Sequence, residues 1–256
     1  MTQSPDSHLD ETGGLLAGTS ARDSRSVVVA IDGTSGSGKS TTAKALAELL
    51  AGDYVDTGAM YRAITWWMLQ QNIDVHDAAE VGRQVGNARV EIFASPSSFS
   101  VRCNGVDVSA DIRSVHVTEA VSAVAAVPAV RETLCAYQRD LAGSAKRRGS
   151  AMVMEGRDIG SVVLPDAEVK IWLEADLAAR AKRRAAEGEG PVAATTERLI
   201  SRDERDATRA VSPAQMAHDA VLIDTTFASV DEVVATVLEM VHVRMGTNAG
   251  GPHVAT

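Results

Sequence analysis

The sequence predicts an α/β fold: a five-stranded parallel sheet with helices on both faces and a small antiparallel insert. Three observations predict it. Short, uninterrupted apolar runs alternate with segments of helical periodicity. A glycine-rich loop joins the first run to the first helix. A stretch over residues 88–109 breaks the alternation and carries an Asn-Gly hairpin signal.

Residues 1–25, rich in Ser, Thr, Asp and Gly, read as a disordered leader, and 246–256 as a disordered tail. Folding signals begin at Ser26. Residues 27–31 are apolar throughout, as in a strand buried on both faces of a parallel sheet. After the glycine turn, Ala43, Leu46, Ala47 and Leu50 recur at helical spacing. Further buried strands are expected at 54–55, 151–154, 169–173 and 221–223. Helices are expected between them at 59–70, 115–142, 177–187, 196–206 and 229–243. The last opens on a capping box, Ser229 with Glu232. In the insert, strands at 90–93, 99–102 and 106–108 surround a Ser-Pro-Ser-Ser turn and Asn104-Gly105, the pattern of an antiparallel meander.

The chain has 256 residues, 45% hydrophobic and 23% charged, which suits one compact unit with a small inserted lobe. A net charge of −9 argues against a broad grip on nucleic acid. Positive charge is nonetheless dense in Lys146-Arg147-Arg148, Lys182-Arg183-Arg184 and the run from Arg202 to Arg209. Each cluster reads either as a solvated helix face or as part of a pocket for a small anion. Cys103 and Cys135 lack metal-ligand spacing and fit reduced thiols. His76, His116 and His218 suggest no metal site. No apolar run approaches a membrane span of about 20 residues, and Leu15-Leu16-Ala17 is too short for a signal-peptide core. A cytoplasmic location is expected, with no membrane partner.

The motif that carries chemistry is Gly33-Thr34-Ser35-Gly36-Ser37-Gly38-Lys39-Ser40, which matches G-x-x-x-x-G-K-[ST] at every fixed position. Glycines let successive backbone N–H groups turn inward around a β-phosphate, and the following helix aims its positive end at the same group. Lys39 can then bridge the β- and γ-phosphates while the Ser40 hydroxyl ligates Mg²⁺. Residues Gly33 to Thr41 are therefore expected to hold ATP, and the fold narrows to the three-layer P-loop NTPase class. GTPases need a guanine-reading N-K-x-D, which this chain lacks. Late arginines in a short P-loop chain fit a small-molecule kinase, which must shield the γ-phosphate from water.

Further segments narrow the class. Asp56-Thr57-Gly58-Ala59-Met60-Tyr61-Arg62 follows the second strand, and Glu155-Gly156-Arg157-Asp158-Ile159-Gly160 the third. Asp107-Val108-Ser109 precedes Ile112-Arg113 in the insert, and Arg202-Asp203-Glu204-Arg205-Asp206-Ala207-Thr208-Arg209 comes late. Together with the phosphate loop, this set resembles the bacterial cytidylate kinases, CMP/dCMP kinases of the P-loop nucleoside monophosphate kinase family. The resemblance runs from about Ser26 to Val243.

It implies a kinase domain over 26–245. Its core would be 26–60 and 150–245, its monophosphate-binding insert about 61–149, and its lid about 180–195. It implies ATP with Mg²⁺ as donor, CMP or dCMP as acceptor, a place in pyrimidine nucleotide metabolism, and a monomer. By the same resemblance Lys39, Arg157 and Arg209 are catalytic. Arg62, Arg157 and Arg209 hold the acceptor phosphate, with Thr57 beside them. Ser122, Arg131 and Asp158 read cytosine, and Arg202 and Asp206 face the sugar and the lid. The chemistry agrees. A dianionic phosphate calls for guanidinium forks. Cytosine offers an N4 donor beside an N3 acceptor, and UMP reverses both, so a carboxylate at Asp158 would discriminate against it. The family often has proline where this chain has Thr34.

Two other readings remain open on sequence alone. One is a P-loop kinase for UMP, AMP or shikimate; the other is a nucleotide-dependent switch with slow, acceptor-independent hydrolysis.

Overall fold

The computed structural model describes residues 26–188 and 190–246. The expected leader, and all of the expected tail except Gly246, lie outside the described residues.

Among these residues five parallel strands form the main sheet: β1 (Val28–Gly33), β2 (Asp53–Asp56), β6 (Met152–Glu155), β7 (Val169–Glu174) and β8 (Val221–Asp224), in the order β2-β6-β1-β7-β8. Three more, β3 (Val90–Phe93), β4 (Ser100–Cys103) and β5 (Val106–Asp107), form the antiparallel meander. Asn104 and Gly105 turn β4 into β5 at φ 49° and 80°, the left-handed pair that a two-residue hairpin needs. The helices are α1 (Lys39–Leu49), α2 (Thr57–Gln70), α3 (Ala78–Gln84), α4 (Val115–Ala125), α5 (Pro128–Arg147), α6 (Leu177–Ala186), α7 (Val192–Ala207) and α8 (Val230–Met245).

Strand alternation splits the apolar residues of β1 between two cores. Val29 and Ile31 pack with Leu46 of α1 and Val237 of α8 on one face. Val28 and Ala30 pack with Ile64 of α2 and Leu134 of α5 on the other. Each fully buried Val, Ile or Leu contributes about 1.5–3 kcal/mol, and α8 is further fixed by the predicted capping box. The second core also takes in Val101, Cys103 and Ile112, so the insert closes onto the sheet rather than around a core of its own. A further join is at the sheet edge, where Tyr54 N–H donates to Ala94 C=O at 2.7 Å and the Tyr54 ring meets Phe99 edge-on.

The helix expected over 115–142 is instead two. Pro128 has no N–H to continue the ladder, and it holds Val127 extended at φ −75°, ψ 122°. The proline thus becomes the first residue of α5. Short elements escaped the periodicity: α3, only 7 residues long, 3-10 turns at Val85–Asn87 and Asp111–Arg113, and a π-helical turn over Ile159–Val163.

Candidate functional site

Register places the functional loops side by side. Asp56 and Ile31 both lie opposite Glu155, so β2 and β6 end level and β1 runs two residues beyond them. The turns that follow open into one crevice at the carboxyl edge of the sheet, where open α/β sheets bind ligands.

The loop after β1 is anchored on its outer limb. Thr34 N–H donates to Leu173 C=O at 3.3 Å, a bond that the proline common in the resembled family could not make. A Cβ on Gly33 would lie 1.9 Å from the Leu173 oxygen, so only glycine fits. Ser35 is held from the other side: its C=O accepts from Arg180 at 3.1 Å and its N–H donates to Asp203 at 3.3 Å. Gly33, Thr34 and Ser35 thus fasten the loop, whereas Gly36, Ser37, Gly38, Lys39, Ser40 and Thr41 line the crevice itself. Gly36 and Gly38 sit at φ 78° and 91°, turning the backbone before α1 starts at Lys39. The Lys39 ammonium reaches back to Thr34 C=O at 2.6 Å. Burial, then Arg157, hold its pKa well below the ordinary lysine value.

The crevice has a volume of about 700 Å³. Eight arginines line it: Arg62, Arg113, Arg131, Arg157, Arg183, Arg184, Arg202 and Arg209. Among the described residues five carboxylates do so: Asp56, Glu155, Asp158, Glu187 and Asp206. In a chain of net charge −9 this is a local reversal of sign that suits a polyanionic ligand. Of the three basic clusters in the sequence, the second and third feed this wall. The first stays outside, with Lys146 paired to Glu168 and Arg148 to Asp53.

Arg157 extends from the turn after β6. Its Nη1 donates to Gly33 C=O at 3.0 Å and its Nε to Asp206 at 3.1 Å. Asp206, on the last turn of α7, is approached by Arg202 at 4.0 Å, and its backbone C=O accepts from Arg209 Nε at 3.3 Å. The arginines around it hold its carboxyl below the usual value despite burial. Burial and the neighbouring Arg62 and Arg157 push Arg202 down to about 9. Arg62 donates to Thr118 Oγ1 at 3.4 Å and is lowered by burial. Arg202 Nε and Arg209 Nη2 are buried without a hydrogen-bond partner, donors left over for a ligand.

Ser122 on α4, Arg131 on α5 and Asp158 line the same wall. Arg131 is not the mid-helix surface residue its sequence position allowed: it lies in the first turn of α5, is 3% exposed, and forms an ion pair with Asp158. Its guanidinium also stands 5.5 Å over the Tyr61 ring. Burial raises the Asp158 carboxyl, against the pull of Arg131 and Arg209. Thr57 is turned away from solvent, its hydroxyl donating to Glu155 C=O at 2.7 Å.

Two residues to which sequence reasoning gave no role belong here, with a third, Arg180, that it placed only at the start of the lid. Glu155 accepts from Tyr54 Oη at 2.6 Å, and burial and Asp56 raise its carboxyl. Asp32 accepts from two backbone amides of the turn after Asp158, Ile159 and Gly160, each at 2.8 Å. Arg180 clasps the phosphate-binding loop. Glu155 lies inside a quoted motif and Asp32 directly before the glycine loop; polar residues at the ends of buried strands were the available signal.

Comparison with known proteins gives the family. A family model described as cytidylate kinase matches residues 29–243. A cytidylate kinase of Streptomyces avermitilis is 46% identical over 222 residues, 86% of this chain and 95% of that protein. One of Rhodococcus jostii (strain RHA1) is 47% identical over 225 residues, 86% and 96% of the two chains. Among solved structures, a gluconokinase from Sinorhizobium meliloti 1021 aligns with a TM-score of 0.46 at 14% identity, over 87% of this chain and 95% of that one.

Proposed function

The chain belongs to the cytidylate kinase family, and from that premise we infer that it transfers the γ-phosphate of ATP to CMP or dCMP, yielding ADP and CDP or dCDP. The observation that carries this reading is the convergence of Arg62, Arg157, Arg202 and Arg209 on the crevice that Lys39 and Ser40 also line. A switch protein has no use for a second anion site facing its triphosphate.

In this reading the ATP triphosphate lies along residues 36–41, with backbone amides and the α1 N-terminus directed at its β-phosphate. CMP enters beneath α4 and α5. Asp158 accepts from the cytosine N4 amino group, and Arg131 and Ser122 donate toward its acceptors. Arg62, Arg157 and Arg209 grip its phosphate, and Thr57 supports that wall. An oxygen of that phosphate attacks the γ-phosphorus, the bond to the β–γ bridging oxygen breaks, and ADP leaves in line. The attacking oxygen is already anionic, so no strong general base is needed. Lys39, Arg157 and Arg209 act by positioning and by neutralising charge as it spreads over the transferring group. Arg202 and Asp206 set the spacing of these guanidinium groups and face the lid, for which we propose residues of about 180–195. The insert over about 61–149 is assigned to the acceptor, carried on a core of 26–60 and 150–245.

Mg²⁺ fits the donor set. Ser40 is exposed at the crevice, and the Asp56 and Glu155 carboxylates stand on the same wall, hard oxygen groups of the kind Mg²⁺ takes directly or through water. Bound there, it would neutralise negative charge on the triphosphate.

No helix among the described residues is long and apolar enough to cross a membrane. We place the enzyme in the cytoplasm, as a monomer, in pyrimidine nucleotide metabolism. The test is ADP release from ATP across CMP, dCMP, UMP, AMP and shikimate. CMP and dCMP should give kcat/KM values at least about tenfold above the others, well within the roughly 10⁴-fold by which a site with an unpaired buried polar group can reject the wrong ligand. Equal rates with every acceptor, or hydrolysis indifferent to acceptor, would overturn the assignment.

A further inference from the structure

We propose that Asp32 is a positioning residue that holds the acceptor-side turn in register with the phosphate-binding loop. The proposal rests on the reading of Arg157 and Asp158 as residues that hold CMP.

Asp32 follows Val28 and Ala30 on the face of β1 that packs against α2 and α5, so a carboxylate stands where the alternation calls for an apolar side chain. It is 3% exposed. A buried carboxylate is tolerated only with full hydrogen bonding, and Asp32 finds it in one place. One oxygen accepts from Ile159 N–H and the other from Gly160 N–H, both at 2.8 Å. These amides open the π-helical turn Ile159–Val163, where a helix start leaves N–H groups without intrahelical partners. The next residue, Gly33, accepts from Arg157 Nη1 at 3.0 Å.

The dipeptide Asp32-Gly33 therefore grips the segment 157–160 on both sides of Asp158: through the Arg157 side chain before it and two backbone amides after it. Asp158 itself sits at φ −147°, ψ 26°, outside either regular structure, and its carboxylate meets Arg131 on α5. The same dipeptide begins the loop expected to hold ATP. One rigid strand end thus fixes the donor loop and the acceptor turn relative to each other, and a displacement of about 1 Å in such a pairing can cost about 10²-fold in rate.

Asp32→Asn keeps the size but offers one acceptor and a mismatched NH₂. Asp32→Glu keeps the charge but displaces it by one methylene. Both variants and the wild type would be compared by thermal denaturation, ATP binding by calorimetry, and steady-state kinetics with CMP and UMP. The expected result is cooperative unfolding, ATP affinity within about twofold, KM for CMP raised about tenfold or more, and a reduced preference for CMP over UMP. Unchanged CMP kinetics in a folded variant would overturn the proposal. So would a parallel loss of ATP and CMP binding, which would make Asp32 a prop of the donor loop alone. Failure of both variants to fold would assign Asp32 to stability and overturn it too. A wild type inactive toward CMP would overturn the functional reading together with this one, whereas an active wild type separates the two.

Discussion

Arg131 and Asp158, 27 residues apart in sequence, form an ion pair almost sealed from water, with side chains 3% and 6% exposed. One comes from the first turn of α5 and the other from the turn after β6, so the pair joins insert to sheet. Both groups face the crevice, so the pair also sets how a base can be read there.

Truncating one partner leaves a buried charge without its counter-ion. Asp158→Ala should lower the unfolding free energy by about 3–5 kcal/mol, measured by urea denaturation, whereas Arg131→Met with Asp158→Leu should restore much of it. In kinetics Asp158→Ala should penalise CMP more than UMP. An unchanged CMP/UMP ratio would remove Asp158 from base reading.

Lys39 Nζ lies within 2.6 Å of Thr34 C=O, folded over the loop whose phosphates it would bridge. Lys39→Ala should lower kcat by about 10²–10³-fold while CMP affinity, measured by calorimetry, stays within about twofold. Turnover equal to wild type would rule the role out.

Arg202 is charged at neutral pH in a place that opposes the charge. Its value of about 9 in the fold lies well below the ordinary guanidinium range, so the penalty is fully present below about 9 and lifts as pH rises above it. Arg202→Met should therefore raise the Tm of the free protein by a few degrees while reducing the additional Tm gain that CMP gives the wild type. A lower Tm would mean that attraction to Asp206 outweighs the crowding by Arg62 and Arg157.

Asp32 titrates in the opposite sense. Burial pushes its carboxyl from 3.8 up to about 7, against the amides of Gly160 and Ile159, with Asp158 adding to the rise and Lys39 opposing it. Between those values the folded chain keeps a proton that the unfolded chain has lost, so the stability from this group is greatest at low pH and falls as pH rises toward 7. The Tm of wild type minus that of Asp32→Asn should decrease between about pH 4 and pH 7 and level off above. A pH-independent difference would show that Asp32 does not titrate in this range.

Much of this was written locally. The sequence by itself determined the five strands, the phosphate loop, the capping box at Ser229 and the hairpin at Asn104-Gly105, because each depends on neighbours in the chain: periodicity, glycine φ angles and side-chain caps. The Pro128 break was also legible, as a residue without an N–H inside a helical pattern, although apolar spacing alone ran straight through it. Tertiary structure decided what the charged residues do. The clusters at Lys146 and at Arg202 look alike as strings, yet one faces solvent and the other encloses Asp206. The strand order brought Glu155 level with Ile31 and Asp56, and only then did Asp32 meet the amides at 159 and 160 and Arg131 meet Asp158. Charge interactions act across space and depend on burial, and neither distance nor dielectric is encoded in the order of residues along the chain.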